Sequence, residues 1–281
     1  MRKVKIKIPA KINLTLDVKG VNGGYHQLKS LVASVNVYDI ITIKKRKDKT
    51  ITLTESKLKS GCDVKSNNAY KACVAFTDKF GASGVDIVLE KNIPVGAGLG
   101  GSSADIAGVL LGMKKLFKPT QDVKALADAL GSDSGYMLDG GWAIMSDRGT
   151  DVERLNTNVK LYLLAITEKN SISTKECFKL FDDGDKYYEE GSDKAVKALL
   201  EGDLNAFASL IKNDLLSPSA TLLPSISENI KALENAGAIN GLMTGSGSAT
   251  YGIFMSKKQR NYAYKKLRLD IGDRLIKLET L

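Results

Sequence analysis

The sequence has 281 residues, of which 43% are hydrophobic and 26% are charged. These values are ordinary for a soluble folded protein and exclude the disordered, collagen-like and membrane classes. One histidine, His26, and three cysteines without C-x-x-C spacing argue against a Cys/His zinc site, and the lack of a G-x-S-x-G elbow argues against a serine hydrolase. The formal net charge of +9 points to an anionic small substrate, a nucleic acid or a solvated lysine-rich surface.

Strand patterns dominate the first 150 residues, with helices between them. Residues 3–18 alternate apolar and polar side chains, which predicts two strands or one broken strand with Lys11 and Asn13 on the face away from the core. Helical spacing of apolar residues predicts helices over 67–80 and 103–117, and Thr120 is a candidate N-cap for a third, short helix. Further strands are predicted near residues 31–43, 50–54, 85–89 and 142–146.

Helical patterns dominate after residue 150. Helices are predicted at residues 175–181, 192–200, 203–214, 224–236 and 256–269, and strands at 160–166, 239–243 and 249–254. We therefore predict a mixed α+β fold of two lobes, with domains over residues 1–152 and 153–281. The N-terminal sequence resembles no signal peptide and no stretch is apolar enough for a membrane span, so we expect a soluble, cytoplasmic protein without a membrane partner.

A glycine-rich segment, residues 93–105, follows a predicted strand and precedes a predicted helix. Closely spaced glycines let backbone N–H groups converge on an anion, and the helix start at Ser102 and Ser103 adds the positive end of the helix dipole. The segment matches neither the P-loop pattern nor a dinucleotide-binding turn, which joins its strand directly to its helix. Protein-kinase tripeptides are also absent. We interpret the segment as a cradle for a triphosphate.

Three motifs occur in the order typical of the GHMP kinases, a family that includes galactokinase and the homoserine, mevalonate and phosphomevalonate kinases. Residues 94–104 resemble the phosphate-binding motif of the family, residues 9–14 its N-terminal motif and residues 244–248 its C-terminal glycine loop. The resemblance implies a ribosomal-S5-like N-terminal lobe and a ferredoxin-like C-terminal lobe, with ATP and substrate meeting in a cleft between them. ATP in turn implies Mg²⁺, although no ligand cluster in the sequence identifies a metal site. The ATP-binding residues implied by the resemblance are Pro94, Val95, Gly96, Ala97, Gly98, Leu99, Gly100, Gly101, Ser102, Ser103 and Ala104.

The tripeptide Gly24-Tyr25-His26 resembles a motif of the GHMP kinases that act on a cytidyl diphosphate substrate. The resemblance implies that Tyr25 stacks on cytosine, that His26 hydrogen-bonds the edge of the base and that Phe178 closes the sandwich. It also implies ATP-dependent phosphorylation of the 2-hydroxyl of a cytidyl diphosphate methylerythritol, a step of the non-mevalonate isoprenoid precursor pathway. The other implied substrate-binding residues are Asn13, Gly245, Ser246 and Gly247.

Lys11 and Asp133 match the catalytic pair of the family. The implied roles are that the Lys11 ammonium reaches both Asp133 and the transferring phosphate, and that this cation keeps the carboxylate ionised. Asp133 then either accepts the proton of the substrate hydroxyl or only orients that hydroxyl, and the sequence leaves both roles open. Positioning and charge neutralisation are the main demands of phosphoryl transfer, and these two residues can meet both.

Three alternatives remain open from the sequence. A mevalonate-type or homoserine-type kinase would share the glycine loops but has no need of a cytosine sandwich. A basic RNA-binding module would use the lysine and arginine clusters at 44–47 and 257–268, although nucleotide substrates give this charge a simpler use and we expect no nucleic-acid partner. An inactive kinase homologue is suggested by residues 134–137, which depart from the family pattern directly after Asp133.

Overall fold

The computed structural model describes residues 2–184 and 191–281, and its helices and sheets confirm the predicted mixed α+β class. In chain order the elements are β1 (Lys3–Asn13), β2 (Asp17–Asn22), β3 (Tyr25–Lys45), β4 (Ile51–Lys57), α1 (Asn68–Phe80), β5 (Val85–Lys91), α2 (Gly101–Phe117), α3 (Lys124–Leu130), α4 (Ser134–Met137), β6 (Trp142–Asp147), β7 (Asp151–Arg154), β8 (Tyr162–Ile166), α5 (Thr174–Asp183), α6 (Gly191–Leu200), α7 (Leu204–Leu210), α8 (Leu216–Leu222), α9 (Ser225–Asn235), β9 (Asn240–Met243), β10 (Thr250–Phe254), α10 (Lys257–Ile271) and β11 (Leu275–Glu279).

The first of two compact units contains the chain up to Ala10, Val37–Val95 and Gly100–Gly140. Here β5 pairs in parallel with β4 and antiparallel with the second half of β3. Helix α2 packs closely on this sheet because Gly108 leaves room for Ile41, whose side chain a Cβ at position 108 would overlap. This packing places the N-terminus of α2 shortly after the end of β5, at the end of the glycine-rich segment.

The second compact unit contains Lys11–Asn36, Gly96–Leu99 and Gly141–Leu281. The first half of β3 pairs antiparallel with β2 and β6, and β6 pairs with β7. A separate antiparallel sheet has the strand order β11-β8-β10-β9. Helices α9 and α10 bury Leu233 and Leu267 in a common core with Leu164 of β8 and Phe254 of β10. The unit therefore combines two sheets with helices that cover apolar side chains, as the amphipathic patterns predict.

Segments of the two units alternate along the chain, because β1 and β3 each contribute to both. The domain boundary at residue 152 stays a prediction. In the part of the chain that the structure describes, no helix combines the length and the apolar character that crossing a membrane requires.

Three local expectations from the sequence were wrong. Thr120 is not an N-cap, since α3 begins at Lys124 and Val123 precedes it. The helix expected over 203–214 ends at Leu210, because the backbone beyond it pairs with Leu16 through Lys212 and Asp214. The predicted outward face of residues 11–17 is buried too, because its polar side chains contact other parts of the second unit.

Candidate active site

Residues 96–99 of the glycine-rich segment pack against the C-terminal glycine loop within the second unit. Gly96 and Gly98 have φ angles of 67° and 75°, in the left-handed region that favours glycine. A Cβ at Gly98 would overlap the carbonyl oxygen of Thr244 and lie 3.0 Å from that of Gly247. Glycine at position 98 is therefore required both by its conformation and by the close approach of a second backbone, and two of the three predicted motifs lie together.

The N-terminus of α2 lies in the first unit and begins two residues earlier than predicted. Gly100, with φ 73°, is its N-cap, and Gly101, Ser102 and Ser103 form the first turn. The first N–H groups of a helix have no partner inside the helix, and the dipole is positive at this end. No acidic residue occupies the first turn, and the Ser102 hydroxyl accepts a hydrogen bond from the side chain of Asn68. The arrangement can bind an anion such as a phosphate.

A buried ionic network joins the two ends of the glycine-rich segment within the first unit. The Lys91 ammonium lies 2.7 Å from the Asp39 carboxylate and 2.6 Å from that of Asp105, on α2. The other oxygen of Asp39 accepts the backbone N–H groups of Asn92 at 2.5 Å and Ile93 at 2.8 Å. Burial raises the pKa of Asp105 to about 7, against the opposing effect of Lys91. The network ties the end of β5 to the second turn of α2.

The turn that carries Asp133 lies against the first turn of α2. Asp133 is half-buried and immediately precedes α4. The N–H of Ser134 donates to the carbonyl of Gly131 at 3.0 Å, and a Cβ at Gly131 would lie 3.4 Å from Oγ of Ser103. The first unit thus brings the turn that carries the predicted catalytic aspartate next to the predicted phosphate-binding turn.

Lys11 is only 5% exposed and belongs to a polar cluster of the second unit. Its ammonium donates to Oδ1 of Asn13 at 2.5 Å, and its backbone N–H donates to the carbonyl of Leu99 at 3.0 Å. Asn13 donates its side-chain amide to Ser30 at 2.7 Å and its backbone N–H to the Thr244 hydroxyl at 2.9 Å. The second unit therefore brings Lys11, Asn13 and the C-terminal glycine loop together.

Side chains from outside the C-terminal glycine loop hold it in place. The Ser246 and Thr174 hydroxyls are 2.9 Å apart. The amide of Asn213 donates to the carbonyls of Met243 at 2.9 Å and Gly245 at 2.8 Å. Asn213 thus fixes the path of the loop on which three predicted substrate-binding residues lie.

Tyr25, His26 and Phe178 lie in the second unit with two charged neighbours. Tyr25 is 54% exposed, and the Arg148 guanidinium lies 3.6 Å from the centroid of its ring. The His26 ring stacks on Phe178 with centroids 4.3 Å apart, and its Nε2 lies 2.9 Å from the Asp182 carboxylate. The structure brings His26 and Phe178 into direct contact, and the cytosine sandwich of Tyr25 and Phe178 stays a prediction.

The sequence patterns did not identify five residues with a structural part in these clusters. They are Asp39, Lys91, Arg148, Asp182 and Asn213. A lysine and an aspartate in otherwise apolar strands were the available signal for the ionic network, because buried charges need partners. Over residues 2–184 and 191–281, no group of three or more His, Cys, Asp and Glu side chains is placed to hold a metal ion alone.

The geometry and the sequence comparisons agree on the class of protein. The GHMP kinase N-terminal domain family matches residues 67–143, and the GHMP kinase C-terminal family matches residues 195–270. The chain belongs to the GHMP kinase family. This membership confirms the two-lobe GHMP kinase fold that the three motifs predicted.

Relatives about one third identical to this chain carry the same name. A 4-diphosphocytidyl-2-C-methyl-D-erythritol kinase of Desulfitobacterium hafniense is 36% identical over 259 residues, covering 89% of this chain and 87% of the relative. One of Caldicellulosiruptor saccharolyticus is 33% identical, covering 95% and 94%. A crystal structure of 4-(cytidine 5'-diphospho)-2C-methyl-D-erythritol kinase superimposes with a TM-score of 0.83 at 28% identity, covering 98% of both chains. Homoserine kinase from Cytophaga hutchinsonii shares the fold, with a TM-score of 0.77 at 19% identity over 100% of this chain and 95% of its own.

Proposed function

We propose that this protein transfers the γ-phosphoryl group of ATP to the 2-hydroxyl of 4-diphosphocytidyl-2-C-methyl-D-erythritol. The observation that carries the proposal is similarity to kinases of that name over nearly the whole chain. The predicted motifs support it, because the first unit holds a helix N-terminus beside an aspartate and the second holds a buried lysine beside a glycine loop. The reaction is the kinase step of the non-mevalonate route to isoprenoid precursors.

In the proposed mechanism the backbone binds the phosphates and two side chains act on the reacting groups. The N–H groups at the start of α2 and of the preceding glycines bind phosphate oxygens. The Lys11 ammonium offsets the negative charge of the transferring group. Asp133 orients the substrate hydroxyl and accepts its proton as the new bond forms. Asn13 supports the role of Lys11, because its Oδ1 accepts a hydrogen bond of 2.5 Å from the Lys11 ammonium.

The residues present fit a magnesium ion that is held mainly by the nucleotide. Mg²⁺ prefers oxygen ligands, keeps several waters and commonly uses one or two protein groups besides phosphates. The Ser103 hydroxyl and the Asp133 carboxylate come from adjoining turns and supply oxygen donors of this kind. A bound ion would neutralise negative charge on the phosphate groups. We propose Ser103 as its protein ligand.

A substrate panel with ATP and Mg²⁺ tests the proposed function. We expect phosphorylation of 4-diphosphocytidyl-2-C-methyl-D-erythritol and no turnover of mevalonate or homoserine. The matched control is the same reaction with ADP in place of ATP, which supplies no γ-phosphoryl group. Turnover of mevalonate or homoserine without turnover of the cytidyl substrate would overturn the proposal.

The departure after Asp133 does not favour an inactive homologue. All four residues of α4, Ser134–Met137, are buried, and Tyr136 is completely so. They fill the interior of the first unit, and Asp133 itself stays at the surface turn. We also propose a cytoplasmic location, which the three free cysteines support because reduced thiols are typical of that compartment.

A further inference from the structure

His26 is oriented by a single helix, α5. Its ring stacks on Phe178, with an interplanar angle of 22°, and meets the edge of Phe181 at 6.4 Å between centroids. Its Nε2 lies 2.9 Å from Oδ1 of Asp182. Phe178 and Asp182 are four residues apart, which places them on the same face of the helix, one turn from each other. One helix face therefore fixes both the plane of the imidazole and the direction of its Nε2.

The Asp182 contact decides which ring nitrogen carries hydrogen. An ionised carboxylate only accepts hydrogen bonds, so Nε2 of His26 must donate. In the neutral ring Nδ1 then has no hydrogen and is an acceptor. Cytosine presents an amino group at the position where uracil presents a carbonyl oxygen. An acceptor at Nδ1 pairs with the amino group and is repelled by the carbonyl.

We propose that Asp182 is a positioning residue that keeps the hydrogen of His26 on Nε2 and so makes the site select cytidyl over uridyl substrates. The inference rests on the proposed function, since it deepens the reading of the base by His26. Tyr25, the adjacent residue, is the predicted stacking partner of the base. The Arg148 guanidinium covers one face of that ring, so we place the base on the other face. Selection by a fixed donor or acceptor is effective because the wrong base leaves a polar group unpaired.

The test compares cytidyl and uridyl diphosphate methylerythritol as substrates at pH 8, above the ordinary pKa range of imidazole. We expect the wild-type protein to prefer the cytidyl substrate. In Asp182→Asn the carboxamide either accepts from Nε2 or donates to it, so both tautomers of His26 become available. The kcat/KM for the cytidyl substrate divided by that for the uridyl substrate should then fall roughly tenfold, as expected for the loss of one hydrogen bond. The change should fall on KM more than on kcat, because base binding is the same before and during phosphoryl transfer.

Three further variants separate this role from a general effect on the fold. Asp183→Asn makes the same chemical change at the next, exposed position and should leave the ratio unchanged. Asp182→Glu keeps a carboxylate and should retain most of the preference. In a His26→Ala background, Asp182→Asn should not change the substrate ratio further, because the proposed effect of Asp182 on base selection passes through the imidazole.

The outcomes of these experiments distinguish failure of the role of Asp182 from failure of the proposed kinase function. An unchanged ratio and KM in a folded Asp182→Asn variant of an active enzyme would overturn the role of Asp182 and leave the proposed function intact. The role would also be overturned if Asp182→Asn lowered the substrate ratio equally in the wild-type and His26→Ala backgrounds, because the effect would then not pass through the imidazole. Failure of the wild-type protein to phosphorylate the cytidyl substrate would overturn both.

Discussion

At the residue scale, Lys11 combines a positive charge with nearly complete burial. A buried ammonium is costly unless it is paired, and the Lys11 ammonium donates a hydrogen bond to Oδ1 of Asn13. We expect Lys11→Ala and Asp133→Asn each to lower kcat by about 10²-fold to 10⁴-fold, the usual range for a catalytic proton or charge partner. Steady-state kinetics with the cytidyl substrate and ATP measure the effect.

The matched control for Lys11 is Lys3→Ala. Lys3 lies on the same strand, but its side chain is exposed, and its removal should leave kcat unchanged. Far-ultraviolet circular dichroism should be the same for all variants, because none of the three changes alters the backbone hydrogen bonds of the strands and helices. If the Lys11 and Asp133 variants were both fully active, the assignment of the catalytic pair would be wrong.

Asp105 makes stability depend on pH in a direction opposite to that of most carboxylates. Burial raises its pKa from 3.8 to about 7, and the charge of Asp39 adds to this while Lys91 opposes it. Between about pH 4 and pH 7 the folded chain keeps a proton that the unfolded chain has released. The free energy of unfolding contributed by this group therefore falls as pH rises through that window, by at most about 1.4 kcal/mol per pH unit, and is constant above it.

Urea unfolding of wild type and Asp105→Asn from pH 4.5 to pH 8 tests this linkage. The amide cannot titrate, so the variant should gain stability relative to wild type as pH rises to about 7. Asp78→Asn, an exposed change on α1, should follow the wild-type curve. A constant difference between wild type and Asp105→Asn across the range would contradict a raised pKa at Asp105.

At the element scale, long periodic segments were predictable and short edge elements were not. The apolar spacing of α1, α2 and α10 is visible in the sequence, because each helix buries one consistent set of side chains. Strand β7, Asp151–Arg154, has three charged residues out of four and no apolar alternation, so only its pairing with β6 makes it a strand. The predicted helix over 203–214 failed for a related reason, because pairing with Leu16 overrides local helix propensity beyond Leu210.

The candidate site shows the same division between local and distant information. The glycine-rich segment and its helix could be predicted, because the residues responsible are consecutive. Lys91, Asp39 and Asp105 could not be grouped from the sequence, because Lys91 and Asp39 are 52 positions apart and no periodicity links them. Asn213, which fixes the C-terminal glycine loop, was missed for the same reason. Motifs thus predict which loops bind ligands, and packing decides what holds those loops in place.

The close approach of the two glycine loops gives a prediction for Gly98→Ala. The new Cβ would overlap the carbonyl oxygen of Thr244, and backbone atoms cannot move aside as the end of a flexible side chain can. Residues 96–99 should therefore shift away from the C-terminal glycine loop. We expect kcat/KM to fall by roughly 10²-fold, because misplacement by about 1 Å costs catalysis on that scale. Steady-state kinetics for both substrates measure the loss.

Gly81→Ala is the matched control for Gly98→Ala. Gly81 also has a left-handed φ, 63°, but a Cβ there would meet nothing within 4 Å. Gly81→Ala therefore has the same cost of placing alanine in a left-handed conformation, about 1 kcal/mol, but it does not disturb a contact between loops. Its activity should stay near that of the wild type, while thermal unfolding records a small loss of stability. Equal activity of the two variants would show that the loop contact has no part in catalysis.

At the scale of the whole molecule, each of the two basic clusters in the sequence includes side chains that make intramolecular contacts. In the first, Arg46 binds the carboxylates of Asp48 at 2.8 Å and Asp86 at 2.7 Å. In the second, Arg260 is buried and binds Glu279 at 3.0 Å, while Lys257, Lys266 and Arg268 each contact a carboxylate or carbonyl. In each cluster some of the basic side chains therefore have a structural use, as partners of carboxylates or carbonyl oxygens.

The double variant Lys258→Glu and Lys265→Glu tests this interpretation of the net charge. Both side chains are exposed on α10, and the exchange lowers the formal net charge from +9 to about +5. Exposed side-chain charges are strongly screened at physiological salt, where the Debye length is about 8 Å. We therefore expect kcat/KM for ATP to change less than about twofold at 150 mM NaCl, and filter binding to retain no RNA with either protein. RNA retention by the wild type that falls steeply with salt and is lost in the double variant would instead support a nucleic-acid-binding role for α10, because only displaced counterions give that dependence.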